Sequence, residues 1–166
     1  MKLHGYVMGL LCFAAFSTAS SAVFAAPEIK PFVRGSFQQI VSAKQGKPFI
    51  VSFWSVTCGY CMAELAMLDG LSRKYPELDL VMISTDSPEE EESVSAILMK
   101  YSLGKTDAWV FADGYTERLR FEIDRKWQGE LPRTYFFGKN GETLSVSGKL
   151  EQKEVERWVK KQHSSR

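Results

Sequence analysis

Histidine and cysteine are scarce in this chain, with two histidines and three cysteines in 166 residues. His4 and Cys12 lie in the first 25 residues and His163 lies in the C-terminal tail. A structural zinc site takes four nitrogen or sulfur ligands, typically two cysteine pairs or a cysteine pair with a histidine pair. The inventory here argues against one. A surplus of one charge is lacking too: 21 Lys+Arg face 20 Asp+Glu, a net charge of +1. Nucleic acid is therefore not the expected partner, because phosphate binding needs a basic excess. Beyond the N-terminus there is no apolar run of about 18 residues, so the body of the chain is not a membrane bundle. No internal repeat or linker appears. The remainder is ordinary: 45% hydrophobic, 25% charged and 13% aromatic. That composition excludes collagen-like, coiled-coil and broadly disordered chains and fits one compact domain over residues 26–166.

Residues 1–25 read as a targeting signal. Lys2 gives the positive start, Tyr6–Phe16 the apolar core, and Ser17–Ala25 the small residues, with Val23 and Ala25 at the positions that signal peptidase reads. An uncleaved membrane anchor is the competing reading, and the shortness of the apolar core favours cleavage. A lipoprotein signal at Cys12 is not expected, because Leu10 and Leu11 stand where small residues are wanted. Cleavage removes one lysine and balances the charge. It also leaves Cys58 and Cys61 as the only cysteines. An exported chain whose sole cysteines form C-x-x-C points to disulfide chemistry, which the exported compartment permits.

The rest alternates strands and helices. Phe49–Trp54 is a short β-branched and aromatic run, expected as a buried strand. Helical periodicity follows from Gly59 to Tyr75, where Pro76 stops it. Leu78–Ser84 is a second buried strand. Ser87-Pro88-Glu89-Glu90 predicts a helix start, with Ser87 as N-cap and Glu90 completing a capping box. The acidic run Glu89–Glu92 complements that helix N-terminus and needs no metal. Val94, Ile97, Leu98 and Tyr101 mark its buried face. Ala108–Ala112 is a third strand and Tyr115–Ile123 a shorter helix. Thr134–Phe137 and Thr143–Ser147 flank Asn140-Gly141, a hairpin signal. Glu151–Gln162 closes the chain as an amphipathic helix, and Phe37, Ile40 and Val41 suggest a helix before the first core strand. The order predicts an α/β layer fold with a terminal hairpin.

The C-x-x-C falls where the first core strand meets its helix, the end of an α/β sheet where chemistry gathers. One helical turn brings Cys58 and Cys61 to one side, within reach of a disulfide. Cys58 then meets unpaired backbone N–H groups and the positive end of the helix dipole, which favour its thiolate. As thiolate it would attack a substrate disulfide, and Cys61 would resolve the mixed disulfide. A purely structural bridge and a Cys58 peroxidase compete with this reading. The bridge would close only a short loop, and no arginine-supported peroxide motif is evident.

The stretch Phe53-Trp54-Ser55-Val56-Thr57-Cys58-Gly59-Tyr60-Cys61-Met62-Ala63-Glu64-Leu65 resembles the motif of the thioredoxin superfamily, and within it the exported TlpA-like (ResA-type) thiol-disulfide oxidoreductases. That family reads F-W-A-x-W-C-x-x-C-R-x-E-x-P. Phe53, Trp54, both cysteines and Glu64 match. Gly129–Phe137, followed by Lys139-Asn140-Gly141-Glu142, is similar to the family's G-x-P-T-x-F-x-x-D-x-x-G stretch. A third likeness is the extra helix and strand, about Pro88–Ala112. The resemblance spans roughly Lys47 to Gln162 and implies a thioredoxin-like fold with an inserted helix-strand. It also implies that Pro132 is a cis-proline beside the cysteines and contacts substrate together with Leu131. The chain departs at Thr57 (tryptophan in the family), Met62 (arginine), Ala66 (proline) and Ser52, where thioredoxins carry a buried aspartate that handles a proton. Glu64, one turn beyond Cys61, is a candidate for that work; a solvated helix glutamate is the alternative. Trp54 is expected to pack beside the site.

By this resemblance the protein is an exported, monomeric enzyme without a bound cofactor or metal. It would be periplasmic, or less readily anchored to the outer side of the inner membrane. It would reduce protein or peptide disulfides, as in apocytochrome c maturation or quality control, with electrons from a membrane thiol carrier of the DsbD type. The Gly59-Tyr60 dipeptide looks like that of DsbC-type isomerases and keeps a disulfide oxidase or isomerase open as the alternative. A metallochaperone or partner-binding module is the non-enzyme alternative; copper delivery would want soft or imidazole ligands close together.

Overall fold

The computed structural model describes residues 26–164. The expected signal segment, with His4 and Cys12, lies outside the described residues. Among these residues six strands form one sheet: β1 (Ile29–Phe32), β2 (Phe49–Trp54), β3 (Asp79–Ser84), β4 (Asp107–Phe111), β5 (Arg133–Phe137) and β6 (Thr143–Ser147). Their order across the sheet is β1-β4-β3-β2-β5-β6. The first four positions run parallel, β5 is antiparallel to β2, and β6 is antiparallel to β5. Among the described residues five α-helices accompany them: α1 (Ser36–Ala43), α2 (Gly59–Lys74), α3 (Glu91–Lys100), α4 (Thr116–Ile123) and, after the last strand, α5 (Gln152–His163). This is the thioredoxin-like α/β fold with an inserted α3–β4 unit. β4 enters the sheet between β1 and β3.

Both faces of the sheet are covered, so β2 is buried along its whole length and reads as an apolar run interrupted by Ser52. Its residues alternate between two layers. Ile50 and Trp54 pack with α2, α3 and α5 through Leu65, Leu68, Leu71, Val94, Leu98, Val155 and Val159. Phe49, Val51 and Phe53 pack with α1 and α4 through Phe37, Ile40 and Leu119. Burying each such leucine or phenylalanine contributes about 1.5–3 kcal/mol. The hairpin turns where the Asn-Gly signal stands. Gly141 has φ 82°, a conformation that costs glycine little, and Gly138 N–H bonds the carbonyl of Glu142 at 2.8 Å.

Two details differ from expectation. The capping box at Ser87 does not form. Residues Pro88–Glu90 make a 3-10 turn, and the Ser87 side chain caps nothing. The Glu90 N–H bonds the Ser87 carbonyl instead, at 3.0 Å, because a turn of this type closes i to i+3 through the backbone. The α-helix proper starts at Glu91. β1 is a strand the periodicity did not indicate. It is four residues long with one fully buried side chain, Phe32, and Pro31 is tolerated there because the strand lies at the sheet edge.

Candidate active site

β2 ends at Trp54 and β3 at Ser84, and these are register partners. The chain leaves β2 through Ser55, Val56 and Thr57 and enters α2 with Cys58 as N-cap. Cys58 and Cys61 are joined in a disulfide, with Cα atoms 5.2 Å apart. The Cys61 N–H donates to the Cys58 sulfur at 3.2 Å and to the Cys58 carbonyl at 3.1 Å. The sulfur thus shares with the Cys58 carbonyl an N–H that the helix N-terminus leaves without an intrahelical partner. The two cysteines differ in exposure. Cys58 is half-buried and Cys61 is wholly buried. Tyr60, between them, is 76% exposed and stands out beside the pair. Trp54 packs into the same apolar layer as Cys61, as expected.

Three residues beyond Cys61, on the buried face of α2, lies Glu64. It is 4% exposed, so the reading as a solvated helix glutamate is corrected. The i, i+3 spacing that carries Cys61 inward also carries Glu64 inward. Its Oε1 accepts hydrogen bonds from Ser52 Oγ at 2.9 Å and from Thr134 Oγ1 at 2.8 Å. These donors are register partners on β2 and β5. Oε2 is buried with no hydrogen-bond partner among the described residues. Burial pushes the Glu64 carboxyl above its ordinary value of 4.5, and the two hydroxyl bonds oppose that shift less strongly. A carboxyl therefore does reach Ser52, the strand position where thioredoxins carry aspartate, but it comes from the helix.

The Leu131–Pro132 peptide bond is cis, as the resemblance implied. Pro132 is buried and its carbonyl accepts from Gly148 N–H at 2.8 Å. Arg133 pairs with Phe53 in register, which brings the start of β5 beside the end of β2. Leu131 is half-buried and packs against both apolar layers, sharing one of them with Cys58, Val56 and Met62. The segment is anchored by Arg133, whose guanidinium bonds Asp124 at 2.7 Å, Ser147 at 2.7 Å, Ser145 at 2.9 Å and the Tyr135 hydroxyl at 3.1 Å.

The structure brings Cys58, Cys61, Glu64 and Trp54 together at the carboxyl end of β2, with the Leu131–Pro132 turn alongside. Two residues of this region were not singled out in the sequence. Thr134 lies inside the matched Gly129–Phe137 stretch and holds Glu64. Asp86 follows β3, and its carboxylate accepts from Ser55 Oγ at 2.7 Å, Val56 N at 2.9 Å and Ser84 Oγ. Its place just past a parallel strand, at the end where sites gather, was the available signal. A separate hollow of about 730 Å³ opens over α4, lined by Arg34, Arg118, Phe121 and Arg125 among others; it includes neither cysteine.

No protein-family model matches the sequence, and no curated protein matches it. Solved structures do match in fold. A secreted disulfide oxidoreductase of Mycobacterium tuberculosis, described as homologous to Escherichia coli DsbE, superposes with a TM-score of 0.57 at 24% identity, over 71% of this chain and 84% of that one. DsbF of the same organism gives 0.56 at 22% identity, over 72% and 84%. A thioredoxin-family thiol:disulfide interchange protein of Chlorobium tepidum gives 0.58 at 16% identity, over 74% and 83%. These likenesses establish that the chain has the thioredoxin-like fold of such oxidoreductases.

Proposed function

We propose that this protein is a thiol-disulfide oxidoreductase that works through Cys58 and Cys61. The observation that carries the reading is the pair itself: a cysteine disulfide at a helix N-terminus, with Cys58 half-buried and Cys61 wholly buried. A structural bridge would not need this asymmetry. The solved structures of matching fold, described as disulfide oxidoreductases, support it.

The exchange runs as follows. In the reduced protein the Cys58 thiolate attacks one sulfur of a substrate disulfide. An S–S bond forms between Cys58 and substrate, the substrate S–S bond breaks, and one substrate thiolate leaves and takes up a proton. Cys61 then loses its proton, with the Glu64 carboxylate as acceptor, and its sulfur attacks Cys58. The Cys58–Cys61 bond forms, the bond between Cys58 and substrate breaks, and the second substrate sulfur departs as a thiolate that takes up a proton from water while Glu64 returns its own to solvent. Two electrons have passed from the pair to the substrate. Leu131 and Pro132 hold the substrate segment beside Cys58. A donor dithiol, for which a membrane carrier of the DsbD type is the chemical match, returns the pair to the reduced state.

The favoured direction is reduction of protein disulfides outside the cytoplasm. Export rests on residues 1–25, whose composition supports a cleaved signal and a periplasmic location over an anchor; the domain beyond them acts as a monomer. Equilibrating the Cys58–Cys61 pair in glutathione and dithiothreitol buffers tests the direction. A potential near or below about −250 mV supports a reductase that needs an electron donor. A value of about −120 to −180 mV supports the alternative, an oxidase or the isomerase whose dipeptide Gly59-Tyr60 resembles. A pair that cannot be cycled overturns the exchange mechanism.

A further inference from the structure

The loop before Cys58 is held by a polar knot that the exchange mechanism above does not use. Ser55 is buried and Thr57 is exposed. Their hydroxyl oxygens lie 3.0 Å apart. Ser55 has one hydroxyl hydrogen, and its 2.7 Å contact with Asp86 Oδ1 takes it, since a carboxylate only accepts. Thr57 must therefore donate to Ser55, as its own N–H also does at 3.2 Å. Val56 N–H donates to Asp86 Oδ2 at 2.9 Å. The hydroxyls of Ser55 and Thr57 and the N–H groups of Val56 and Thr57 thus run, directly or through Ser55, to one carboxylate. Cys58 N–H then closes the turn on the Ser55 carbonyl at 3.1 Å.

Asp86 is itself fixed. Its N–H donates to Ser84 Oγ at 3.0 Å, and the Ser84 hydroxyl donates back to Oδ2. Ser84 is wholly buried and opposes Trp54 in the sheet. Thr85 N–H adds a bond to the Trp54 carbonyl at 2.9 Å. The end of β3 therefore sets the path by which the chain leaves β2. Thr57 takes part where the family it resembles carries tryptophan, so the knot depends on this chain's own residues.

We propose that Asp86 is a positioning residue for Cys58: its carboxylate fixes the Ser55–Thr57 turn and thereby holds the Cys58 sulfur against the N–H of Cys61. The inference rests on the reading of Cys58 as the attacking nucleophile. Charge and position act in opposite directions here. A carboxylate near the sulfur disfavours thiolate, whereas the ordered turn favours it by keeping the sulfur on its donor. Asp86→Asn removes the charge and keeps most of the knot, because its amide oxygen accepts from Val56 while the Ser55 hydroxyl reverses to accept from the amide. Asp86→Ala removes both charge and knot. Comparing the two variants isolates position.

The experiment uses Cys61→Ser protein, so that Cys58 alone reacts. Its alkylation by iodoacetamide is followed against pH in the otherwise wild-type protein, in Asp86→Asn and in Asp86→Ala, with circular dichroism to confirm folding. The expected result is that the Asp86→Ala profile lies about one pH unit above that of Asp86→Asn, so that it reacts about tenfold more slowly at pH values below both midpoints. Equal profiles for the two variants would overturn the proposal. Ser55→Ala changes no charge and cuts the link between Thr57 and Asp86. It should react more slowly than its parent, and it carries the test alone should Asp86→Ala not fold; an unchanged rate there overturns the proposal too. If Cys58 in the parent behaves as an ordinary free thiol, the nucleophile reading itself fails, which is a separate outcome from either comparison.

Discussion

The two layers that cover the sheet are made of different material. The layer under α1 and α4 is aromatic: Phe32, Phe37, Phe49, Phe53, Trp109, Phe111, Trp127 and Tyr135 crowd together, with edge-on contacts such as Phe32–Phe53 at 6.2 Å and stacking of Phe49 on Phe137 at 4.4 Å. The Tyr135 hydroxyl within it is met by Arg133 at 3.1 Å. The layer under α2, α3 and α5 is mainly aliphatic. Into it are set Cys61, Glu64, Ser52 and Thr134. Large rings interlock and fill volume, and the indole N–H groups of Trp109 and Trp127 are bonded to Asp107 and to the Glu130 carbonyl, so the aromatic side serves as scaffold. The leucine-rich side tolerates one buried carboxyl from α2 because two strands, through Ser52 and Thr134, supply donors to its Oε1. β2 joins the two layers: Phe53 faces one, and Ser52 and Trp54 face the other.

The sharpest division between them is expected in activity. Cys58→Ser should abolish exchange, whereas Cys61→Ser should let Cys58 attack and leave mixed disulfides that non-reducing electrophoresis can display. Full activity in Cys58→Ser would remove the site from the aliphatic side altogether. Next in size is a stability effect confined to the scaffold. Phe53→Ala should cost about 3–5 kcal/mol in denaturant unfolding and leave the reduction potential of the pair unchanged. A shifted potential would mean that the aromatic layer tunes the chemistry.

Glu64 should give a smaller effect that depends on pH. Its carboxyl is raised above 4.5 in the folded protein, with burial as the main cause. The folded state then holds this proton more tightly than the unfolded chain. The stabilisation is fully present below pH 4.5 and is lost as pH rises through the folded value. Unfolding midpoints of the oxidised wild type and Glu64→Gln, taken over a pH series, should therefore diverge: wild type loses ground to the glutamine variant as pH rises. A constant difference would say that Glu64 titrates alike in both states. The smallest effect belongs to neither layer. Lys74 bonds Glu156 at 3.0 Å on the surface between α2 and α5. Lys74→Ala should leave the denaturant midpoint unchanged within error, as exposed ion pairs usually do.

Much of this was legible because its causes are local. The β2 run, the helical periodicity after Gly59 and the Asn-Gly hairpin each state their structure over a few residues. The C-x-x-C sits at a strand-to-helix junction that can be read the same way. What was hidden depends on partners distant in the chain. Glu64 looks like any helix glutamate until Thr134, 70 residues on, is brought over it. Asp86 has no visible role until β3 lies beside β2. β1 lacks a signal of its own because it is defined by pairing with β4. At Ser87 a plausible capping pattern lost to a backbone-closed turn.

The hydrogen bonding of Glu64 is lopsided: both hydroxyls address Oε1 and none addresses Oε2. A carboxyl in that setting has two inequivalent C–O bonds. When protonated it should carry the hydrogen on Oε2 and keep double-bond character toward Oε1, where two donors weaken it. Its carbonyl stretch in an infrared difference spectrum would then fall below that of an unbonded carboxylic acid. The band would rise in frequency when Ser52 or Thr134 loses its hydroxyl, making this one side chain an internal vibrational label for the protonation state of the site.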